Sequence, residues 1–267
     1  MRIDQLLVQR QLASTRAQAQ RLIAAGVEWQ QGDAWRRVGK NGDVVPDDAA
    51  VRLLDDAEAR FVSRGGLKLE GALRATQLQV TGLNCLDVGQ STGGFTDCLL
   101  QHGAARVVGL DVGQAQLHPS LREDARVRCI EKVNARDAQA VAEALQNDAM
   151  LEDDAEDAED AEEVGPVADF DLLVGDLSFI SQTLVLPAIV PLLKAGGQVL
   201  MLVKPQFELQ PGQVGKGGIV RDAALYAVVE QRLRAAYAEL GLTVHAWLPS
   251  SIDGGDGNRE FFIHASR

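Results

Sequence analysis

A chain of 267 residues with 46% hydrophobic content has enough apolar surface for one full core and a small satellite domain. Its three cysteines, Cys85, Cys98 and Cys129, form no C-x-x-C pair, which argues against a disulfide framework or a thiolate metal site and suits a reducing cytoplasm. The formal charge of -12 speaks against nucleic acid only until its distribution is read: residues 152–163 carry nine acids and no base, whereas residues 1–41 hold seven Lys or Arg against three acids.

From Arg2 to Ile23 the apolar residues Ile3, Leu6, Leu7, Leu12, Ala19, Leu22 and Ile23 recur at helical spacing in two bursts. This predicts two short helices, with Ser14 as N-cap of the second. Arg16 and Arg21 flank the second helix's apolar face, and Gly26 ends it before strand-like segments at Val27-Glu28-Trp29 and Val51–Leu54. Taken singly, each arginine also reads as solvation of a surface helix. Together, Arg2-Ile3-Asp4-x-x-Leu7 and Ser14-x-Arg16-x-x-Ala19-x-x-Leu22-Ile23-x-x-Gly26-Val27 resemble the small α+β RNA-binding domain of the S-four type. The resemblance implies that residues 1–60 bind RNA, with Arg2, Arg16 and Arg21 facing phosphates. Val27-Glu28-Trp29-Gln30-Gln31-Gly32 departs from the V-x-V-N-G usual at that point.

Residues 61–67 read as a linker, with Gly65-Gly66 as a flexible hinge into an amphipathic helix. Beyond it, over residues 68–267, strands alternate with helices: Leu83–Val88, a helix from Gly93, Val107–Val112, Val127–Glu131, a helix from about Arg136, Phe170–Gly175, a helix from Ser181, and Gln198–Val203. That alternation predicts an α/β, Rossmann-like fold with a doubly wound, mostly parallel sheet. Ala223–Leu240 predicts a long helix, and Thr243–Leu248 with Phe261–His264 a closing antiparallel hairpin. Residues 148–165 enclose the acidic run and read as a disordered insertion in a surface loop. The longest apolar run, Leu184–Leu193, is broken by Pro187 and Pro191 and is too short to span a membrane, and no signal segment is evident.

Leu86-Asp87-Val88-Gly89-Gln90-Ser91-Thr92-Gly93-Gly94-Phe95 reads as strand, Gly-rich turn and helix start. Its glycines do not fit G-x-G-x-x-G, so a cofactor without phosphates, such as S-adenosylmethionine, suits the turn better than a dinucleotide. An ordinary strand-to-helix connection is the competing reading. Asp111 ends the next strand, where acids accept from ribose hydroxyls or simply form turns; Asn134 borders an adenine or caps a turn. The four histidines lack ligand spacing, so no metal is expected.

Asp176, Lys204 and Glu260 fall at strand ends, and Lys68 arrives from the helix after the hinge. Each alone reads equally as half of a structural ion pair. In order, Lys68, Asp176, Lys204 and Glu260 resemble the K-D-K-E tetrad of 2'-O-ribose methyltransferases. Ser63-Arg64-Gly65-Gly66-Leu67-Lys68-Leu69-Glu70, Ser91-Thr92-Gly93-Gly94-Phe95-Thr96-Asp97, Asp176-Leu177-Ser178-Phe179-Ile180, Lys204-Pro205-Gln206-Phe207-Glu208 and Gly215-Lys216-Gly217-Gly218 are similar to the TlyA family over nearly the whole chain. The acidic insertion is outside that pattern, and Gln90 stands where related methyltransferases have a small residue.

The family resemblance implies S-adenosylmethionine-dependent 2'-O-methylation of a cytidine in ribosomal RNA, on assembled subunits, in the cytoplasm, without membrane or metal. Cofactor contacts are then expected from Asp87, Gly89, Ser91, Thr92, Gly93, Gly94, Phe95, Asp111 and Asn134, and RNA contacts from Arg2, Arg16, Arg21, Arg64 and Lys216. Lys204 would engage the 2'-hydroxyl, Asp176 and Glu260 would orient the lysines, and Lys68 would stabilise the developing oxyanion. Burial and Lys68 favour a neutral amine at Lys204, the two acids an ammonium. Lys216 reads as part of a glycine-rich lid or of a plain turn. Two other classes remain: a non-catalytic RNA-binding factor, for which four charged strand-end residues serve no purpose, and a membrane-active haemolysin, which no amphipathic basic helix supports.

Overall fold

The computed structural model describes residues 1–13, 15–54, 59–150 and 170–267. The chain divides into two units, Met1–Leu67 and Lys68–Arg267.

In the first unit, helices α1 (Ile3–Gln9) and α2 (Arg16–Gly26) precede a sheet of three antiparallel strands, β1 (Val27–Gln31), β2 (Ala34–Arg37) and β3 (Val51–Leu53), in the order β2-β1-β3. Ile3, Leu6, Leu7, Ala19, Leu22 and Ile23 are buried with Val27, Val38 and Val45. The predicted cap Ser14 lies outside the described residues; Thr15 caps α2 by accepting from the Gln18 N–H at 3.2 Å. The β1–β2 hairpin closes through Gly32-Asp33, with Gly32 at φ +61, so a two-residue turn forms without the family's asparagine–glycine pair.

Helix α3 (Gly65–Thr76) corrects the hinge expectation, because Gly65 and Gly66 are its first two residues. A Cβ at position 66 would overlap the buried Phe61 ring. The glycine there serves close packing rather than flexibility.

The second unit holds β4 (Asn84–Val88), α4 (Gly94–Gln101), β5 (Arg106–Asp111), α5 (Pro119–Arg122), β6 (Val127–Glu131), α6 (Ala138–Met150), β7 (Phe170–Gly175), α7 (Leu186–Ile189), β8 (Leu193–Val203), α8 (Pro205–Glu208), α9 (Ala224–Glu239), β9 (Thr243–Pro249) and β10 (Phe261–Ser266). Seven strands form one sheet, β6-β5-β4-β7-β8-β10-β9, parallel from β6 to β8, with β10 antiparallel to both its neighbours. This is the predicted Rossmann-like architecture, its last two strands paired as the expected hairpin. Leu172–Val174 of β7 and Val199–Val203 of β8 are unbroken apolar runs because both faces of a parallel sheet are covered; Leu173, Val199, Met201 and Val203 are fully buried in the main core.

Three boundaries differ from expectation. The helix expected from Ser181 is broken into short turns around α7, since Pro187 and Pro191 remove donors from its interior. Strand β8 reaches back to Leu193, five residues before the predicted start at Gln198. Residues 148–150, assigned to the insertion, end α6; the acidic run itself lies outside the described residues.

The strand order reverses between β4 and β7: β5 and β6 lie to one side of β4, and β7 and β8 to the other. In open α/β sheets ligands bind beyond the carboxyl ends of the strands at such a switch point.

Candidate active site

A cavity of about 480 Å³ opens at that switch point, bordered by Gly89, Ser91, Asp111, Asn134, Asp176 and Phe179 among others. The turn after β4 is shaped by its glycines. Gly93 caps α4 in the left-handed region at φ +94, and a Cβ there would overlap Leu121. The Asp111 carboxylate closes the opposite wall, accepting from the Ser91 N–H at 2.7 Å and the Gly113 N–H at 2.6 Å. Asn134 Oδ1 accepts from the Arg136 N–H at 3.1 Å, so its amide group stays at the cavity edge.

Beneath this turn lies Asp87, 1% exposed. Thr96 Oγ1 donates to its Oδ2 at 2.7 Å, while its Oδ1 has no partner among the described residues. Burial pushes the Asp87 carboxyl up to about 7; the Thr96 hydroxyl opposes this, and the nearby Asp176 and Asp111 add to it. Gln90 does not crowd the cavity. Its buried side chain donates to Thr96 Oγ1 at 2.9 Å and fills the space where a Cβ at Gly109 would stand. Of the expected cofactor residues, Gly89, Ser91, Asp111 and Asn134 line the cavity. Asp87, Gly93, Gly94 and Phe95 are buried around it, Phe95 stacking on Phe262 at 6.0 Å, and Thr92 accepts from the His118 N–H through its carbonyl.

The four charged strand-end residues do come together. Lys204 Nζ, following β8, stands 2.6 Å from Asp176 Oδ1 and donates to Ser178 Oγ at 2.8 Å. Lys68 Nζ, on α3, stands 2.5 Å from Glu260 Oε2. Both members of the second pair are buried. Burial pushes the Glu260 carboxyl above its ordinary value; Lys68 and then Lys204 pull it down, and Asp176 pushes it up. The two pairs therefore share one field, next to a cavity that Asp176 and Ser178 line.

Phe179 adds a feature to the site that the sequence does not mark. Its ring is 90% exposed, its backbone has φ +64, and it tilts against Phe207 at 5.0 Å. An aromatic in the left-handed region is strained and persists where its surroundings hold it. In sequence, Asp176-Leu177-Ser178-Phe179-Ile180 stands out as a family motif, and nothing in it signals that Phe179 is exposed. Gln116, which no sequence motif marks, also lines the cavity and accepts from Ser91 Oγ at 3.2 Å.

Among the expected RNA contacts, Arg2 and Arg16 converge on the buried carboxylate of Asp4, with Arg2 Nε at 3.0 Å and Arg16 NH2 at 2.9 Å. The Arg2 hydrogen bonds, with Arg16 in support, hold that carboxyl far below its ordinary value against the cost of burial. Both guanidiniums keep about half their surface exposed, so the carboxylate orients them without hiding them. Arg21 is half-buried on α2, Arg64 immediately precedes α3, and Lys216 is exposed in a single turn, Lys216–Gly218. Among the described residues no cluster of His, Cys, Asp or Glu has the makings of a metal site, and no helix is long and apolar enough to cross a membrane.

Comparison with known proteins shows the family. Residues 61–267 match the family of FtsJ-like methyltransferases. The chain is 41% identical over 262 residues to the 16S/23S rRNA (cytidine-2'-O)-methyltransferase TlyA of Mycobacterium tuberculosis, covering 98% of this chain and 88% of that protein. It is 34% identical over 264 residues to Hemolysin A of Brachyspira hyodysenteriae, covering 99% of each. A solved structure from Streptococcus thermophilus that carries a hemolysin name superposes with a TM-score of 0.67 at 38% identity, covering 100% of this chain and 88% of that one.

Proposed function

The chain belongs to the TlyA family of FtsJ-like methyltransferases, and on that premise we propose that it transfers a methyl group from S-adenosylmethionine to the 2'-oxygen of a cytidine ribose in ribosomal RNA. The observation that carries this reading is the pair of lysine–carboxylate contacts, Lys204–Asp176 and Lys68–Glu260, which act on one another's charge while Asp176 lines the switch-point cavity.

The cavity suits a cofactor that is cationic and lacks phosphates. Asp111 and Asp176 stand in its wall, and the unpartnered Oδ1 of Asp87 awaits a donor beneath it. When bound, the cofactor supplies an electrophilic methyl group on a sulfonium. Asp111 is placed to receive ribose hydroxyls, Asn134 to border the adenine, and the turn from Gly89 to Phe95 to admit the cofactor close to the backbone.

A ribose hydroxyl is a weak nucleophile until its proton is shared or removed. Lys204 Nζ, steered by Asp176 and Ser178, first passes one of its protons to the Asp176 carboxylate 2.6 Å away, and the resulting free amine meets the 2'-hydroxyl and takes up its proton as the oxygen is alkylated. Lys68, held by Glu260, stabilises the negative charge that develops on that oxygen. Phe179 offers an aromatic face on which the target base stacks once it leaves its helix. The N-terminal unit, through Arg2, Arg16 and Arg21, supplies phosphate affinity with little sequence preference, and Arg64 and Lys216 add further phosphate contacts. The substrate is the RNA of assembled ribosomal subunits, which places the work in the cytoplasm.

The test is methyl transfer from labelled S-adenosylmethionine to separated, unmethylated ribosomal subunits and to their naked RNA, followed by nucleoside analysis. Label in 2'-O-methylcytidine, stronger on subunits than on free RNA, is the expected result. Cofactor binding without any transfer would favour a binding factor instead, and leakage of lipid vesicles by the purified protein would revive the hemolysin reading.

A further inference from the structure

The turn that carries Lys216 is nearly all glycine, with Gly217 at φ +79 and Gly218 at φ +80. Such a segment loses much backbone entropy when ordered and has no side chains to anchor it. Its anchor comes from Asn258. This side chain is 2% exposed, and both its donors and its oxygen are engaged by two loops. Oδ1 accepts from the Val220 N–H at 2.9 Å; Nδ2 donates to the Gly218 carbonyl at 2.9 Å and to Asp256 Oδ2 at 2.8 Å. The backbone of Asn258 is tied in as well, its N–H donating to Asp256 Oδ1 and its carbonyl accepting from the Gly254 N–H.

Both catalytic pairs adjoin this clasp. Glu260 follows Asn258 by two residues, and a Cβ at Gly254 would stand 2.6 Å from Glu260 Oε1, so the clasped loop packs on that carboxylate. Asp256 Oδ2 also accepts from Gln206 Nε2 at 3.1 Å, and Gln206 follows Lys204 by two residues.

We propose that Asn258 is a positioning residue for RNA methylation: its buried amide latches the Lys216 turn to the loop that presents Glu260, setting the phosphate contact and the reacting ribose in one register. The proposal rests on the phosphate role given to Lys216 above. A carboxamide is needed because the latch takes one acceptor and two donors at a single site. An aspartate in its place keeps the bond from Val220, loses both donations and sets a second carboxylate against Asp256.

The experiment is a double-mutant cycle on the full chain with Lys216→Ala and Asn258→Asp, with Asn258→Ala as a second variant, reading KM for unmethylated ribosomal subunits, kcat and S-adenosylmethionine affinity. Lys216→Ala alone should raise KM about two- to fivefold, the range of an exposed charge contact. Asn258→Asp should raise KM at least as much and lower kcat with cofactor affinity unchanged, and adding Lys216→Ala to it should change KM no further. If the two KM effects multiply, Lys216 is placed without Asn258 and the latch is wrong. If the Asn258 variants lose cofactor affinity and kcat with KM for RNA intact, the residue serves the fold alone. If Lys216→Ala leaves KM unchanged, the phosphate role of Lys216 fails and the reason for a latch goes with it.

Discussion

Asp87 and Glu260 are carboxylates that burial holds above their ordinary range, and in each the fold and the chemistry want opposite charge states. With its folded value raised from 3.8 to about 7, Asp87 makes the cofactor-free protein less stable as pH rises through that window, because the unfolded chain gives up the proton first. A cationic cofactor favours the ionised carboxylate, so its affinity should strengthen from about pH 6 to about pH 8. Titration calorimetry on the wild type and on Asp87→Asn checks this; the variant should bind more weakly and lose the slope. For Glu260, also raised, protonation releases Lys68, so kcat should fall on the acid side at a pH above the ordinary glutamate range. Glu260→Gln should abolish that limb and lower kcat throughout, as a pH–rate profile would reveal. Lys204→Ala should lower kcat by about 10²- to 10⁴-fold, the usual worth of a positioned proton acceptor, with cofactor binding intact. Wild-type turnover in that variant would remove Lys204 from the reaction.

The elements that place these residues are short and depend on local backbone chemistry. Helix α4 starts where it does because Gly93 takes the left-handed conformation against Leu117 and Leu121. Gly93→Ala should cost about 1–3 kcal/mol in urea unfolding through backbone strain, with more from the displaced leucines, and should weaken cofactor binding by shifting the turn. Helix α2 carries Arg16 and Arg21 and is capped by Thr15, so Thr15→Ala should cost about 1 kcal/mol and leave cofactor binding untouched.

For the whole molecule, charge distribution matters more than its sum. Seven of the chain's 26 Lys and Arg fall in its first 41 residues against three acids, and Asp4 fixes Arg2 and Arg16 while leaving both exposed; the proposed RNA binding rests on this basic end. RNA affinity should therefore fall linearly on a log–log plot against salt, with a slope of about -0.7 to -0.9 per phosphate contact. Filter binding with the Arg16→Ala, Arg21→Ala double variant should give a slope shallower by one to two such contacts. An unchanged slope would mean that RNA docks elsewhere.

Periodicity alone determined the α/β class and the strands β4, β5, β6, β7, β9 and β10 to within two residues, because apolar alternation and turn residues are local signals. The charged quartet was also legible, since strand ends are where polar residues interrupt apolar runs. What the sequence left undecided depended on what stands opposite a residue. Gly66 looked like a hinge until Phe61 was found against it, and Gln90 looked like an obstacle until Gly109 made room for it. Phe179 and Asn258 carry no mark of their roles in the chain: one is an exposed aromatic held at positive φ, the other a buried amide joining two loops. Which lysine met which acid was likewise settled by strand order, because the residues from position 68 to position 260 become neighbours only when the sheet places their ends at one crevice.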